Sequence, residues 1–529
     1  MSVKTNEKQQ ANQLDWFTIL VPLGIMLSMA VFFMIRPDES AAVLTVIRGF
    51  LGDDCSILYA VVGIGSFMAT MYLAFSKYGK IKLGGKNDKP QYSSFKWGTM
   101  IFTSTMGADI LFYSLCEWSM YAGEDYIQSK GIQEWASTYP FFHWGPIVWS
   151  FYIILSVAFG YMLHVRKRDK QRFSEACRPL LGKQVDRLPG RTIDFFAIFA
   201  LLCGSATTFS LATPLMSDAI CNVLNINHSP AIAAIFLLII ALVYTIAVLL
   251  GMKGIQSLAS LCTYFFLALI AYFLIFGGEI RYILETSFQS IGNLIQNFIP
   301  MSTYMDPLRK TSFPQNWTIY YWAYWLVYCS GTPFFLGQIS KGRTVKQTVL
   351  GSYAWALAGT ALSFMILGNY ALAQQMKHGL DVTGFVAAGG TYSQAIIKVF
   401  ETLPLYKVGL VLLVVAMISF YSTTFDAVTL VIASYSYRRL EKDRTPDKKL
   451  MVFWAITLIL LPLVLIFREQ SLYCLQSVTI IGAAPVAIIV TMIIISFFKD
   501  AHGYLKQSGY RETVIAVSDD NEPVVPPEE

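Results

Sequence analysis

Apolar runs of about 20 residues recur along this 529-residue chain. A helix needs that length to cross a hydrocarbon layer about 30 Å thick. Twelve such runs are expected: Leu14–Ile35, Ile57–Phe75, Gly98–Leu115, Phe141–Leu163, Ile193–Cys221, Ile232–Leu250, Ser260–Gly277, Trp317–Leu336, Tyr353–Leu372, Val408–Ala433, Leu450–Phe467 and Leu475–Phe498. Only 14% of residues are charged, against about 25% in soluble domains. The sequence therefore reads as an all-α polytopic membrane protein.

Basic residues orient the spans. With both termini on one side, that side carries 30 of the 40 lysines and arginines, which places it in the cytoplasm. The cluster Arg166–Arg172 reads as a topology anchor, so the net charge of +6 calls for no nucleic-acid partner. Eight cysteines show no C-x-x-C or metal-ligand spacing. The first apolar run lacks a small-residue cleavage pattern and is read as a retained helix. Expected segments are 1–13, cytoplasmic; 14–97, two N-terminal helices; 98–278, a first five-helix unit; 279–316, holding an amphipathic interfacial helix over Ile283–Pro300; 317–498, a second five-helix unit; and 499–529, a cytoplasmic tail. The Pro- and acid-rich end of that tail, Asp519–Glu529, is expected to be disordered.

Three spans carry residues that resist a plain helix: Ser104–Asp109 in span three, Cys329–Pro333 in span eight, and Ser419, Ser422, Thr423, Thr424 and Asp426 in span ten. Breaks five helices apart point to two inverted five-helix repeats. Broken helices expose carbonyls and helix ends at mid-membrane, where transporters hold solute and ion. Small residues also serve simply to let helices pack closely.

Spans four and eight open with dense aromatic residues. Trp322 and Trp325 are three apart on one face, and Tyr324 and Tyr328 four apart on the next. Converging rings in a dry site bind cations that donate no hydrogen bonds, quaternary ammonium above all. A ligand bringing its own carboxylate, such as betaine or carnitine, would need backbone N–H groups at a helix break. Asp109, near mid-membrane, reads as a proton site, as a counter-charge to a cationic solute, or as a cap on a broken helix. Glu117 is expected at the outer end of span three and His143 at the interface, with Asp426 in the bundle without a named partner. Lys341-Gly342-Arg343 reads as a cytoplasmic anchor.

Residues 141–152, Phe313–Trp325 and Gln338-Ile-Ser-Lys-Gly-Arg-Thr344 resemble the betaine/carnitine/choline transporter (BCCT) family from span one to span twelve. Phe141–Pro146 and Leu211–Leu215 are most similar to its carnitine-type branch. The resemblance implies a LeuT-like inverted repeat of five plus five helices with two extra N-terminal helices, assembled as a homotrimer. It further implies a cation cage of Trp144, Trp149, Tyr152, Trp322, Tyr324, Trp325 and Tyr328. Tyr324 stands where the family usually has Trp, and Gly331 lacks a side chain that many relatives carry; both leave the head group open.

Asp109 resembles the proton-coupled members. Thr423 and Thr424 match the hydroxyl pair of sodium-coupled ones, with carbonyls from Thr103–Met106 completing that ion site. Span seven reads Ala259–Thr263, without the Arg of ion-independent exchangers. The expected activity is secondary transport of a zwitterionic quaternary-ammonium solute (glycine betaine, carnitine or γ-butyrobetaine) through the plasma membrane, with proton coupling favoured and no cofactor. Choline or taurine-type transport, sodium symport and carnitine-type exchange are the alternatives. An osmosensor on the same scaffold would need a longer charged tail than the sequence shows. A membrane enzyme is disfavoured: there are five histidines and neither H-E-x-x-H nor G-x-S-x-G.

Overall fold

A computed structural model describes residues 14–105, 109–168, 170–250, 252–440, 445–468 and 472–507. Among these residues the fold is helical, with isolated bridges Leu14–Tyr437 and Lys82–Thr344 as its only extended pairings. Lipid cannot satisfy exposed backbone groups, so each crossing closes its hydrogen bonds within its own helix. The principal helices are α1 Trp16–Ile35, α2 Ser56–Phe75, α3 Ser94–Thr105, α4 Asp109–Ala122, α5 Ile132–His143, α6 Pro146–Gly160, α7 Leu188–Leu224, α8 Pro230–Leu249, α9 Met252–Phe276, α10 Ile280–Thr303, α11 Ile319–Tyr328, α12 Thr332–Ile339, α13 Val345–Ser363, α14 Tyr406–Tyr435, α15 Lys448–Phe467 and α16 Leu472–Gln507.

Ten helical stretches among the described residues are long and apolar enough to cross a membrane. The expected spans three and eight fall outside that set. Span three comprises α3 and α4, with 106–108 between them outside the described residues, and span eight is split into α11 and α12. In span eight the chain leaves helix at Tyr328 and resumes at Thr332, with Pro333 in the first turn of α12 where its missing N–H costs nothing. The break is tied on both sides: Ser330 Oγ donates to the Ala197 carbonyl at 2.8 Å, and Tyr435 Oη donates to the Ser330 carbonyl at 2.6 Å.

Three expectations are corrected. Span ten is unbroken: α14 runs 30 residues, and Ser419 and Ser422 return their hydroxyls to the carbonyls of Val415 and Ile418, which keeps polar residues inside a regular helix. Span four does not open at Phe141; its helix begins at Ile132 and breaks at Trp144-Gly145 before Pro146 restarts it. The last crossing continues past Phe498 to Gln507. The segments 1–13 and 508–529 lie outside the described residues.

The amphipathic helix expected over 283–300 is α10. It docks its polar face on the protein: Ser290 Oγ donates to Ser137 Oγ at 2.8 Å and Asn293 Nδ2 to Thr138 Oγ1 at 3.1 Å, both acceptors on α5. Phe288, Ile295 and Ile299 point outward and are exposed.

Candidate solute and ion site

The 37 residues of α7 span about 55 Å at 1.5 Å per residue. A cavity of about 490 Å³ opens at its C-terminal end, between Asp218, His228, Tyr392, Phe112 and Ser210. Another of about 630 Å³ opens at the opposite end of the molecule, between Lys89, Tyr92, His164, Gln338, Lys341 and Ser434. The expected anchor loop forms part of that second mouth. There Gly342, at φ +84°, lets its N–H reach the Leu83 carbonyl at 2.7 Å, while the Arg343 guanidinium lies 4.2 Å from the Trp97 ring centroid.

Between the two mouths three rings gather around Trp325. Their centroids lie 4.5 Å away for Trp149, 4.9 Å for Tyr152 and 5.7 Å for Trp144. All four residues are at most 4% exposed. The break at Trp144-Gly145 swings Trp144 off the end of α5, and α6 then delivers Trp149 and Tyr152 one turn apart. The Nε1 atoms of Trp149 and Trp325 are buried without hydrogen-bond partners among the described residues.

The other expected cage residues separate from this cluster. α11 is buried on every side, and each of its faces meets a different neighbour. Tyr324 and Tyr328 turn toward α4 and α7. The Tyr324 hydroxyl donates to Asp109 Oδ2, Thr208 Oγ1 donates to the same oxygen at 2.9 Å, and Tyr328 Oη lies 2.7 Å from Thr208 Oγ1. Trp322 turns away from both groups and packs against Phe142 and Gly63. Gly331 does not open the cluster: a Cβ there would stand 3.0 Å from Leu201 Cδ2.

Asp109, at the start of α4, is 5% exposed, and its Oδ1 has no hydrogen-bond partner among the described residues. Thr423 Oγ1 lies 3.2 Å from the Thr103 carbonyl, so α14 meets the end of α3 where the expected ion site was drawn. Thr424 Oγ1 is buried and has no hydrogen-bond partner among the described residues. Met106 lies outside the described residues. Asp426 is fully buried and has no side-chain partner among them.

Two polar residues stand elsewhere than their sequence positions suggested. α4 continues to Ala122, which carries Glu117 inside the protein instead of leaving it at a helix end. α5 starts nine residues before Phe141, which buries His143 completely. Thr208 was not anticipated at all: nothing in a 37-residue apolar helix distinguishes it until α4 and α11 bring Asp109, Tyr324 and Tyr328 around it.

A crossing interrupted at Cys329–Gly331, a buried aromatic cluster, the buried Asp109 carboxylate and a mouth at each end define a membrane transporter. The chain belongs to the betaine/carnitine/choline transporter family, whose description (BCCT, betaine/carnitine/choline family transporter) matches residues 17–505. It is 29% identical over 492 residues to the "Probable glycine betaine transporter" of Desulfitobacterium hafniense (strain Y51), covering 91% of this chain and 96% of that one. It is 26% identical over 479 residues to the "Carnitine transporter" of Acinetobacter baumannii, covering 88% and 86%. Among solved structures it resembles the substrate-bound outward-open state of a Na+-coupled sialic acid symporter, with 13% identity, a TM-score of 0.42, and 83% and 87% of the two chains covered.

Proposed function

We propose that this transporter carries a zwitterionic quaternary-ammonium solute of the glycine betaine, carnitine or γ-butyrobetaine type, and that a proton taken up at Asp109 drives it. The observation that carries the reading is the adjacency of two unlike surfaces: the rings around Trp325, and the Asp109 carboxylate at the start of α4 with one oxygen free of hydrogen bonds among the described residues. The rings take the trimethylammonium group, each worth about 2 kcal/mol or more when desolvated. The solute's carboxylate then lies toward Asp109, where like charges repel until a proton neutralises one of them. Solute and proton thus bind cooperatively, as symport requires.

The two relatives named for glycine betaine and carnitine support this substrate class. The split in the eighth crossing, five spans after the Ser104–Asp109 stretch that resists a plain helix in the sequence, supports twelve spans arranged as two inverted five-helix repeats behind two N-terminal helices. The basic-residue asymmetry supports cytoplasmic termini in the plasma membrane, and the outward apolar face of α10 is compatible with a homotrimer. Access alternates because the rings are closed from both mouths: each side opens as α3–α6 and α11–α13 rock against the remaining helices.

Sodium coupling is the second reading, favoured by the contact of Thr423 with the Thr103 carbonyl and the idle hydroxyl of Thr424. Uptake of labelled glycine betaine and carnitine into sodium-free proteoliposomes separates the two. Accumulation that needs an inward proton gradient and is lost in Asp109→Asn is the expected result. Accumulation only with sodium would move the coupling to Thr423 and Thr424. Uptake only into solute-loaded vesicles would make the protein an exchanger.

A further inference from the structure

α4 bears two buried carboxylates, and the reading above uses only Asp109. Glu117, two turns on, is fully buried and accepts from Trp144 Nε1 on Oε2 at 2.8 Å and from Tyr121 Oη on Oε1 at 2.5 Å, with the Tyr321 hydroxyl also beside it. Tyr121 Oη also lies 2.6 Å from His143 Nδ1, and His143 Nε2 lies 2.9 Å from Thr318 Oγ1. His143 is itself stacked on Tyr321, with centroids 4.9 Å apart.

With His143 neutral, as its complete burial favours, the donor inventory limits this row to two arrangements. With Glu117 ionised, Tyr121 must donate to it, so His143 carries its hydrogen on Nδ1 and accepts from Thr318 on Nε2. With Glu117 protonated, every bond in the row reverses: Glu117 donates to Tyr121, Tyr121 to Nδ1, and Nε2–H to Thr318. Trp144 keeps its bond to Oε2 in both. The two arrangements differ by one proton, and neither leaves Glu117, Tyr121 or His143 unpaired, the usual penalty for changing the charge of such a group.

We propose that Glu117, Tyr121 and His143 form a second proton site, separate from Asp109, whose ionised state sets a negative charge behind Trp144 and favours a cation held against that ring. The proposal rests on the four-ring cluster being the cation site. A proton arriving from water forms the Nε2–H bond, the Nδ1 proton passes to the Tyr121 oxygen, and the Tyr121 proton passes to Glu117 Oε1. The imidazole and the phenol end neutral. Proton and cationic head group therefore compete here, the opposite of the cooperation at Asp109.

Other groups packed around the row do not supply the charge. Tyr113 and Cys116 on α4, Tyr139 on α5, and Tyr320 and Tyr321 on α11 are neutral at their ordinary values. Arg48, the cation nearest Tyr320, is held by the Tyr473 carbonyl at 3.1 Å and by Gln476.

The test is glycine betaine titration of the purified full-length protein by tryptophan fluorescence between about pH 5.5 and 8. Loss of a full charge behind Trp144 predicts roughly tenfold weaker binding at the acid end in Asp109→Asn, where the opposing Asp109 proton is absent. Glu117→Gln should lose that weakening and keep only the opposite slope contributed by Asp109. An unchanged slope in Glu117→Gln overturns the proposal. Should that variant fail to fold, infrared difference spectra of the ligand-free protein between the two pH limits give an independent readout. A carboxylic-acid carbonyl band that shifts in Trp144→Phe, where Oε2 loses its donor, is expected; absence of such a band overturns the proposal. Betaine binding untouched in Trp325→Ala would remove the cage reading while leaving the infrared result to stand on its own.

Discussion

At the scale of single residues, the site divides its work between rings and hydroxyls, and substitutions should separate them. Trp325 touches three other rings, so Trp325→Ala is expected to weaken betaine binding by about a hundredfold, the loss of at least one desolvated cation–π contact plus a cavity. Tyr324→Phe keeps the ring and removes one donor from Asp109. It should leave binding within a few fold while lowering proton-driven accumulation, because a buried carboxylate that loses a donor at a cost of about 1–3 kcal/mol holds its proton more readily. Uptake and equilibrium binding measured side by side would show the split. Asp109 was legible in the sequence because a carboxylate inside an apolar run is costly and so stands out. Trp322 misled because helical spacing fixes an angle and not a neighbour. Glu117 and His143 were misplaced through span ends drawn a few residues short, although the Glu117–Tyr121 spacing of four was visible.

At the scale of elements, α6 and α12 cross with their backbones in contact. A Cβ on Gly337 would stand 2.7 Å from the Gly160 backbone nitrogen. Gly337→Ala should therefore push the two half-helices apart, lower the melting temperature by several degrees, and reduce uptake further than it reduces binding. The loop leading into span eight offers a test against pH. Burial works against the charge of Asp306, but N–H groups of Thr311, Ser312 and Lys310 more than offset it and hold the carboxyl below its usual range. A depressed value contributes stability above the unfolded carboxyl value, about 4, and that contribution fades as pH falls through the folded value. Protease nicking of this loop should rise below about pH 4 in the wild type, and at neutral pH in Asp306→Ala. Run length predicted the elements well because crossing a bilayer is a one-dimensional demand. It missed the break at Trp144-Gly145, where Gly-Pro was read as the start of a span, and it invented one in α14, where hydroxyls returned to their own turn.

At the scale of the whole molecule, the two mouths and the closed rings between them predict complementary exposure. A cysteine placed at Gln394, on the mouth near Asp218, and another at Ser434, on the mouth near Lys341, should label reciprocally: solute and gradient conditions that speed one should slow the other. Parallel changes at both would argue against rocking. Trp322 adds a further connection. Its ring is wedged against Gly63 so closely that a methyl there would lie 3.0 Å from it, three residues before Trp325. The far side of the same helix, α2, turns Ile57, Val61, Met68 and Phe75 outward, onto the acyl chains in a membrane. The peripheral helix thus stands between the bilayer and the helix that carries Trp325, and turnover in vesicles of graded lipid thickness should depend on that thickness less in Trp322→Ala than in the wild type.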